Sequence, residues 1–434
     1  MKLCFVVQRY GPDVLGGSEH LCRLVAERLA ATHEVDVLTT CARDYVTWKN
    51  EYPEGSDRVR GVIVRRFATA RTRDLESFNR RSDWIYAAPH TPADEMEWLA
   101  DQGPWVPSLI EYLKRNQQQY DALIFFTYLY APTVLGLEVN PGKSILVSTA
   151  HDEPAIGLDI YKKVFSTPGA ICYLTDSERQ FVQRRFPNRP LLEEIVGVGI
   201  DIPPRQPYPR MPAAAEEEPI ADADVPSNPA TAAAAGEDQG ERDFPSHLAA
   251  RGAVFRRRHR LYGPIALYGG RIDPGKGCEE LIEYFEGYVK EGGDAMLALM
   301  GAKMMAIPEE PYIKFAGMLS DSERSQALEA ATVVVCPSPY ESLSLVALEA
   351  MAVGTPILAN ARSAVLVEHC VKGNGGLYYA NRDEFIESLQ LLVRDARLRA
   401  ALGRNGRDYV RKNYRWDTVL GKWDRLFAKI RNAR

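Results

Sequence analysis

Short apolar runs alternate with helical patterns along nearly the whole chain, and few folds accommodate that alternation. Strands are predicted at Lys2–Val7, Glu34–Thr39, Val62–Phe67, Ala122–Phe126, Ser144–Ala150, Ala170–Leu174 and Leu192–Val198. Amphipathic stretches such as Ser18–Ala31, Ala93–Gln118 and Ser177–Phe186 lie between them. The strands are too apolar to leave one face in water, which implies a parallel sheet covered by helices on both sides. The pattern resumes over Ile265–Tyr268, Cys278–Glu291, Ala295–Met300, Ile313–Ala316, Asp321–Ala330, Thr332–Cys336, Ser344–Val353 and Pro356–Ala359. Two doubly wound α/β units are therefore expected, with a ligand cleft between the carboxyl ends of their strands.

Between the units the composition changes. Residues 203–245 hold nine prolines, ten alanines, nine acids and three arginines, with almost no large aliphatics. Such a stretch buries too little apolar surface to offset its ordering entropy, so a disordered linker is predicted. The expected division is a first unit over 1–202, this linker, a second unit over 246–414 and a final helix over 415–434. That helix carries Trp416, Val419, Leu420, Trp423, Leu426, Phe427 and Ile430 on one stripe, which suits a return to the first unit.

Charge and cysteine usage exclude several classes. The net charge of −5 argues against a nucleic-acid partner, which calls for a basic excess. The seven cysteines are scattered without a C-x-x-C pair, so neither a zinc site nor a disulfide framework is expected and a cytoplasmic setting fits. The first apolar run is too short for a signal peptide. Ala122–Leu137, the most membrane-like stretch, is interrupted by Thr127, Pro132 and Thr133 and falls short of a span. Arg256-Arg257-Arg258-His259-Arg260 reads as a solvated helix face, or as a site of peripheral contact with the inner, anionic face of a membrane.

Two segments carry chemistry. The first is Leu267-Tyr268-Gly269-Gly270-Arg271-Ile272-Asp273-Pro274-Gly275-Lys276-Gly277, a strand, a glycine-rich turn and a helix start. Small residues admit a ligand to the backbone, and Arg271 with Lys276 suits a diphosphate. Gly270–Lys276 matches a P-loop, but Gly277 stands where that motif needs a magnesium-binding hydroxyl. The second is Pro337-Ser338-Pro339-Tyr340-Glu341-Ser342-Leu343-Ser344-Leu345-Val346-Ala347-Leu348-Glu349-Ala350-Met351. Glu341 precedes a helix for which Ser344 is the expected N-cap. Glu349 lies inside that helix among apolar neighbours, where a carboxylate needs either a ligand hydroxyl or an arginine or backbone partner. Asp222-Ala223-Asp224 is the one D-x-D and falls in the linker, so no metal site is expected from it. Aromatic and basic residues over Ala70–Trp105, with Arg71, Arg73, Arg80, Arg81, Trp84, Tyr86 and Trp98, suit the stacking of a ligand on their rings, and a packed loop explains them equally well.

Arg271 with Lys276, followed by Glu341 and Glu349 with seven residues between them, resembles the donor site of the retaining family-4 glycosyltransferases of the GT-B fold. Gly16-Gly17-Ser18-Glu19, His151-Asp152 and Gly199-Ile200-Asp201 resemble further landmarks of that family in the same order. The chain departs from it with Ser342-Leu343-Ser344 for Gly-Phe-Gly and Gly197-Val198-Gly199 for Pro-Asn-Gly. The resemblance implies two Rossmann-like domains facing each other across a cleft. It also implies transfer from a nucleoside-diphosphate sugar to a glycan or lipid-linked acceptor without a metal or other cofactor. By the same resemblance Arg271 and Lys276 hold the diphosphate beside Gly270, helped by the backbone around Ser344 and Leu345. Glu341 meets the transferred sugar, Glu349 the ribose, Gly17 the phosphate or acceptor, and His151 lies beside the donor sugar. A nucleotide-sugar epimerase and a non-catalytic nucleotide-sugar-binding module are the alternatives.

Overall fold

The computed structural model describes residues 1–14, 16–190, 192–203 and 244–432, with side chains of 244–251 left aside. The first sheet comprises β1 (Lys2–Val6), β2 (Glu34–Thr40), β3 (Gly55–Val59), β4 (Val62–Phe67), β5 (Ala122–Phe126), β6 (Ser144–Val147), β7 (Ala170–Tyr173) and β8 (Glu193–Ile195). Their spatial order is β3-β4-β2-β1-β5-β6-β7-β8. The second comprises β9 (Ile265–Gly269), β10 (Met296–Met300), β11 (Ile313–Gly317), β12 (Val333–Cys336), β13 (Ile357–Asn360) and β14 (Gly376–Tyr379), in the order β11-β10-β9-β12-β13-β14. Central strands such as Ala122–Phe126 are buried at every position, as sheets covered on both faces require.

The first sheet is not wholly parallel. β3 runs antiparallel to β4, joined through Arg60 and Gly61, both at positive φ. Gly-Ser-Asp-Arg-Val offers no apolar alternation, so this edge strand left no periodic signal. The helix expected over Ala93–Gln118 is two, Pro92–Gln102 and Pro107–Asn116, because Gly103-Pro104 cannot continue the first.

Most of the predicted linker, with Asp222-Ala223-Asp224, lies outside the described residues. At its far end a helix, Phe244–His259, has already begun. Its basic cluster is partly spent inside the protein. Arg256 donates to the carbonyls of Gly263 and Ala330, and Arg258 pairs with Glu323. The last helix, Trp416–Asn432, lies on the first sheet's side. Gly199 has room for no side chain, since a Cβ there would sit 2.1 Å from the Trp416 ring. Lys429 pairs with Glu194 at 2.9 Å, and the Phe427 ring lies 5.8 Å from His33. Among the described residues no helix is long and apolar enough to cross a membrane.

Each sheet reverses its winding once. In the first, the chain leaves β1 towards β2 and later returns beside it as β5; in the second, β9 and β12 flank the reversal. Crevices form at such points outside the strand carboxyl ends, and the loops after β1, β6, β9 and β12 carry the predicted site residues.

Candidate functional site

The loop after β9 is shaped by close approach of backbones. Gly270 (φ +148°) lies against Gly301 (φ +127°), where a Cβ would meet the Gly270 carbonyl oxygen at 1.9 Å. The Asp273 carboxylate accepts from the Lys276 N–H at 3.0 Å and sets the turn Pro274–Lys276. Gly277 (φ +73°) passes so near the β12 loop that a Cβ would lie 2.5 Å from the Pro337 oxygen. This approach brings Lys276 Nζ to Glu341 Oε1 at 2.9 Å. Arg271 pairs with Asp273 at 3.1 Å and lies 5.2 Å over the Tyr45 ring of the first unit. Tyr45 also faces the buried Arg9, at 5.4 Å, so arginines from both units share one ring.

Ser344 does precede the helix Leu345–Val353, but its side chain caps nothing. It adopts φ +62°, a left-handed conformation costly for a side-chain-bearing residue, and the expected hydroxyl cap is thereby corrected. The helix start has no side-chain acceptor, which leaves its first N–H groups and positive dipole end available at Ser344 and Leu345. His369, fully buried, donates from Nε2 to the Leu343 carbonyl at 2.7 Å and holds the loop from below.

Glu349 lies about one turn further along. One oxygen pairs with Arg324, and the other is buried without a protein partner. Burial pushes its pKa up to about 7; Arg324 opposes the shift, while Asp321 and Asp201 add to it. The folded protein thus holds a proton that the unfolded chain releases above about pH 4.5. Stability should therefore fall as pH rises from there through about 7. Glu349→Gln, which cannot ionise, should flatten that decline, by at most about 3 kcal/mol across the interval. Melting temperatures of both proteins between pH 5 and 8 check this; parallel curves would refute it.

On the first unit's side, His151 follows β6. Its Nδ1 lies 3.3 Å from the Thr149 carbonyl and its Nε2 3.4 Å from Glu153 Oε1. Across the cleft the His151 ring faces Tyr340, 5.9 Å away, beside Glu341. Gly17 opens the helix Gly17–Leu29, exposed, with nothing within 4 Å of where a Cβ would stand. Its neighbour Gly16 is the crowded one, where a Cβ would stand 2.1 Å from Glu19 Oε2. Glu19 is itself held by Arg9 at 2.6 Å.

Arg271, Lys276, Glu341, Ser344 and Leu345 thus gather at the second sheet's reversal, and His151 approaches them from the first. Glu349 is aimed at Arg324 instead, and Gly17 has nothing within 4 Å of where a Cβ would stand. Sequence reasoning missed Arg324, Glu153, Tyr45 and the Arg9–Glu19 pair. Glu153 stands two residues from His151 and Glu19 closes the Gly16-Gly17-Ser18-Glu19 landmark, so both were within reach of inspection; Arg324, Tyr45 and Arg9 carry no local signal. Among the described residues no three His, Cys, Asp or Glu side chains cluster as metal ligands.

Residues 254–409 match the family of glycosyl transferases group 1. Curated relatives include an uncharacterized glycosyltransferase of Methanocaldococcus jannaschii, 29% identical over 36% of this chain and 42% of that one. Another is the sulfoquinovosyl transferase of Arabidopsis thaliana, 28% identical over 37% of this chain and 32% of that one. The chain thus spans less than half the length of these two relatives. Whole-chain likeness comes from solved structures. Sucrose-phosphate synthase of Thermosynechococcus elongatus has a TM-score of 0.69 at 17% identity, covering 100% of both chains. Anabaena HepE, in complex with UDP and glucose, has a TM-score of 0.65 at 13% identity, covering 99% of both. The chain has the GT-B fold of these structures, and over residues 254–409 it is similar to the glycosyl transferases group 1.

Proposed function

We propose that this protein is a retaining glycosyltransferase of family-4 type, moving a sugar from a nucleoside diphosphate to a glycan or lipid-linked acceptor. The observation that carries this reading is the Lys276–Glu341 pair at 2.9 Å, set between Arg271 and an uncapped helix start at the second sheet's reversal. A diphosphate needs clustered positive charge with N–H donors, and Arg271, Lys276 and the helix start supply both. The transferred sugar needs an acceptor of hydroxyl hydrogen bonds beside that diphosphate, and Glu341 is one. The unpartnered oxygen of Glu349 has the valence a ribose hydroxyl would fill. Solved neighbours in complex with UDP and with UDP-glucose support a nucleotide-sugar donor.

In the reaction, the leaving diphosphate takes the acceptor's proton on the face from which it departs. Arg271 and Lys276 stabilise the charge that grows on it without reorganising. Because this positive charge belongs to side chains, transfer is expected to proceed without a divalent ion. Exposed Arg257, Arg260 and Tyr262 leave a peripheral membrane contact with an anionic surface as part of the reading.

A thermal-shift screen with UDP, GDP, ADP and TDP sugars, followed by a transfer assay with the one that binds, tests the proposal. A donor that binds the native state raises the melting temperature, and product with inverted anomeric configuration would overturn the retaining mechanism. Glu341→Gln should lower turnover and leave free nucleotide affinity nearly unchanged, whereas Glu349→Gln should weaken nucleotide binding. Equal losses of nucleotide affinity in both would refute these roles.

A further inference from the structure

Glu153 has no place in the donor site as described, yet it lies half-buried next to His151. Its Oε1 accepts the Tyr128 hydroxyl at 2.5 Å and faces His151 Nε2 at 3.4 Å. The other ring nitrogen of His151 faces a carbonyl, that of Thr149, at 3.3 Å. A carbonyl and a carboxylate can only accept, so each ring nitrogen is placed to donate, and only the imidazolium donates from both. Thr149 presents its carbonyl from a left-handed conformation, φ +49°. Glu178 holds the same loop, its Oε1 accepting from the Ser148 hydroxyl at 2.6 Å and the Ala150 N–H at 2.7 Å. The clamp is therefore fixed on both sides.

We propose that Glu153 is a positioning residue, shared between Tyr128 and His151, that holds the His151 ring as a fixed cation facing the Glu341 loop. This rests on the proposed glycosyl transfer, in which that loop receives the donor sugar. With both N–H groups engaged, His151 contributes charge and a ring face rather than a mobile proton. The groups around it act in both directions. Burial and Lys276 oppose its charge, while Glu153 outweighs them and Glu341 assists, so its pKa lies above the usual histidine value. Glu178 of the helix Asp176–Arg185 acts on it electrostatically, the Tyr340 ring lies opposite, and Tyr86 of the helix Leu75–Ala87 is within electrostatic range of Glu153. Reciprocally, His151 and Tyr128 hold the Glu153 carboxyl below its usual range against the effect of burial.

The test is the titration of the His151 ring by NMR in the full chain, assigned with His151→Asn, together with pH–rate profiles. In the wild type its midpoint should exceed the ordinary value of about 6.5. Glu153→Gln should bring it below that value, because burial and Lys276 then prevail. Tyr128→Phe, which removes a competing donor from Glu153 and keeps the ring packing, should move it the other way. In transfer, Glu153→Gln should lower kcat about tenfold to a hundredfold, less than loss of a direct charge-stabilising donor. The KM for donor should change little, and the alkaline limb should move down with the midpoint. A wild-type midpoint at or below 6.5, or an unmoved midpoint in both variants, overturns the proposal. A kcat loss with an unmoved alkaline limb also overturns it, since a merely structural role would give that result. Absence of transfer by the wild type with every donor would refute the glycosyltransferase reading alone, because the ring titration needs no turnover.

Discussion

Replacing Lys276 with alanine is expected to reduce sugar transfer by on the order of 30-fold to several thousand-fold while the fold survives. Removing one member of a desolvated charge pair costs about 2–5 kcal/mol. Here the loss is felt twice. Glu341 keeps its charge without the ammonium now 2.9 Å away, and the leaving diphosphate loses one of two fixed cations. Lys276 is partly exposed, so the melting temperature should hardly change. The same argument predicts that excess EDTA leaves wild-type activity largely intact. Activity abolished by EDTA and restored by magnesium or manganese would show that the diphosphate is neutralised by an ion and not by Arg271 and Lys276.

Gly301→Ala should destabilise the second unit by about 3 kcal/mol or more and abolish donor binding with it. At φ +127° an L side chain is strained by itself, a cost of about 1–3 kcal/mol. In addition its Cβ would lie 1.9 Å from the Gly270 oxygen, a backbone atom that cannot rotate aside. Relief requires the ends of β9 and β10 to separate, and the turn bearing Arg271 and Lys276 starts at that end. The control is Gly292→Ala, also at positive φ but with nothing within 4 Å of its Cβ, which should cost only the strain. Denaturant unfolding of both variants, with nucleotide binding alongside, decides it. Equal destabilisation of the two would show that the Gly270–Gly301 approach is not what matters.

These two predictions differ in where their grounds lie. Lys276 and Glu341 could be singled out from the chain alone, because each sits in a motif of adjacent residues: a glycine turn after an apolar strand, and an acid before a helix. Gly301 could not, because its neighbour Gly270 is thirty-one positions away and is brought near by the pairing of β9 with β10.

The same division runs through the molecule. Continuous apolar runs and stripes of period 3.6 are properties of neighbouring residues, so most parallel strands and many helices were legible, Ala122–Phe126 and Asp321–Ala330 to the residue, whereas the parallel strand Gly376–Tyr379 was not expected. The polar edge strand Gly55–Val59 had no such period; it pairs because Val62–Phe67 presents a free edge to it. Arg271, Lys276, Glu341 and Glu349 stood out as candidates from the chain alone, the first three by their place in turns after apolar strands and Glu349 by its apolar neighbours. The partners of those charges were not. Arg324 reaches Glu349 across twenty-five residues, and His151 turns to Glu153 rather than to adjacent Asp152. Ser344 leaves its hydroxyl cap unmade because the loop held by His369 forces a left-handed turn there. Local backbone geometry obeys periods that a chain carries along its own length. Pairing between side chains depends on which strands lie side by side, and that order is set by burying all the apolar faces at once.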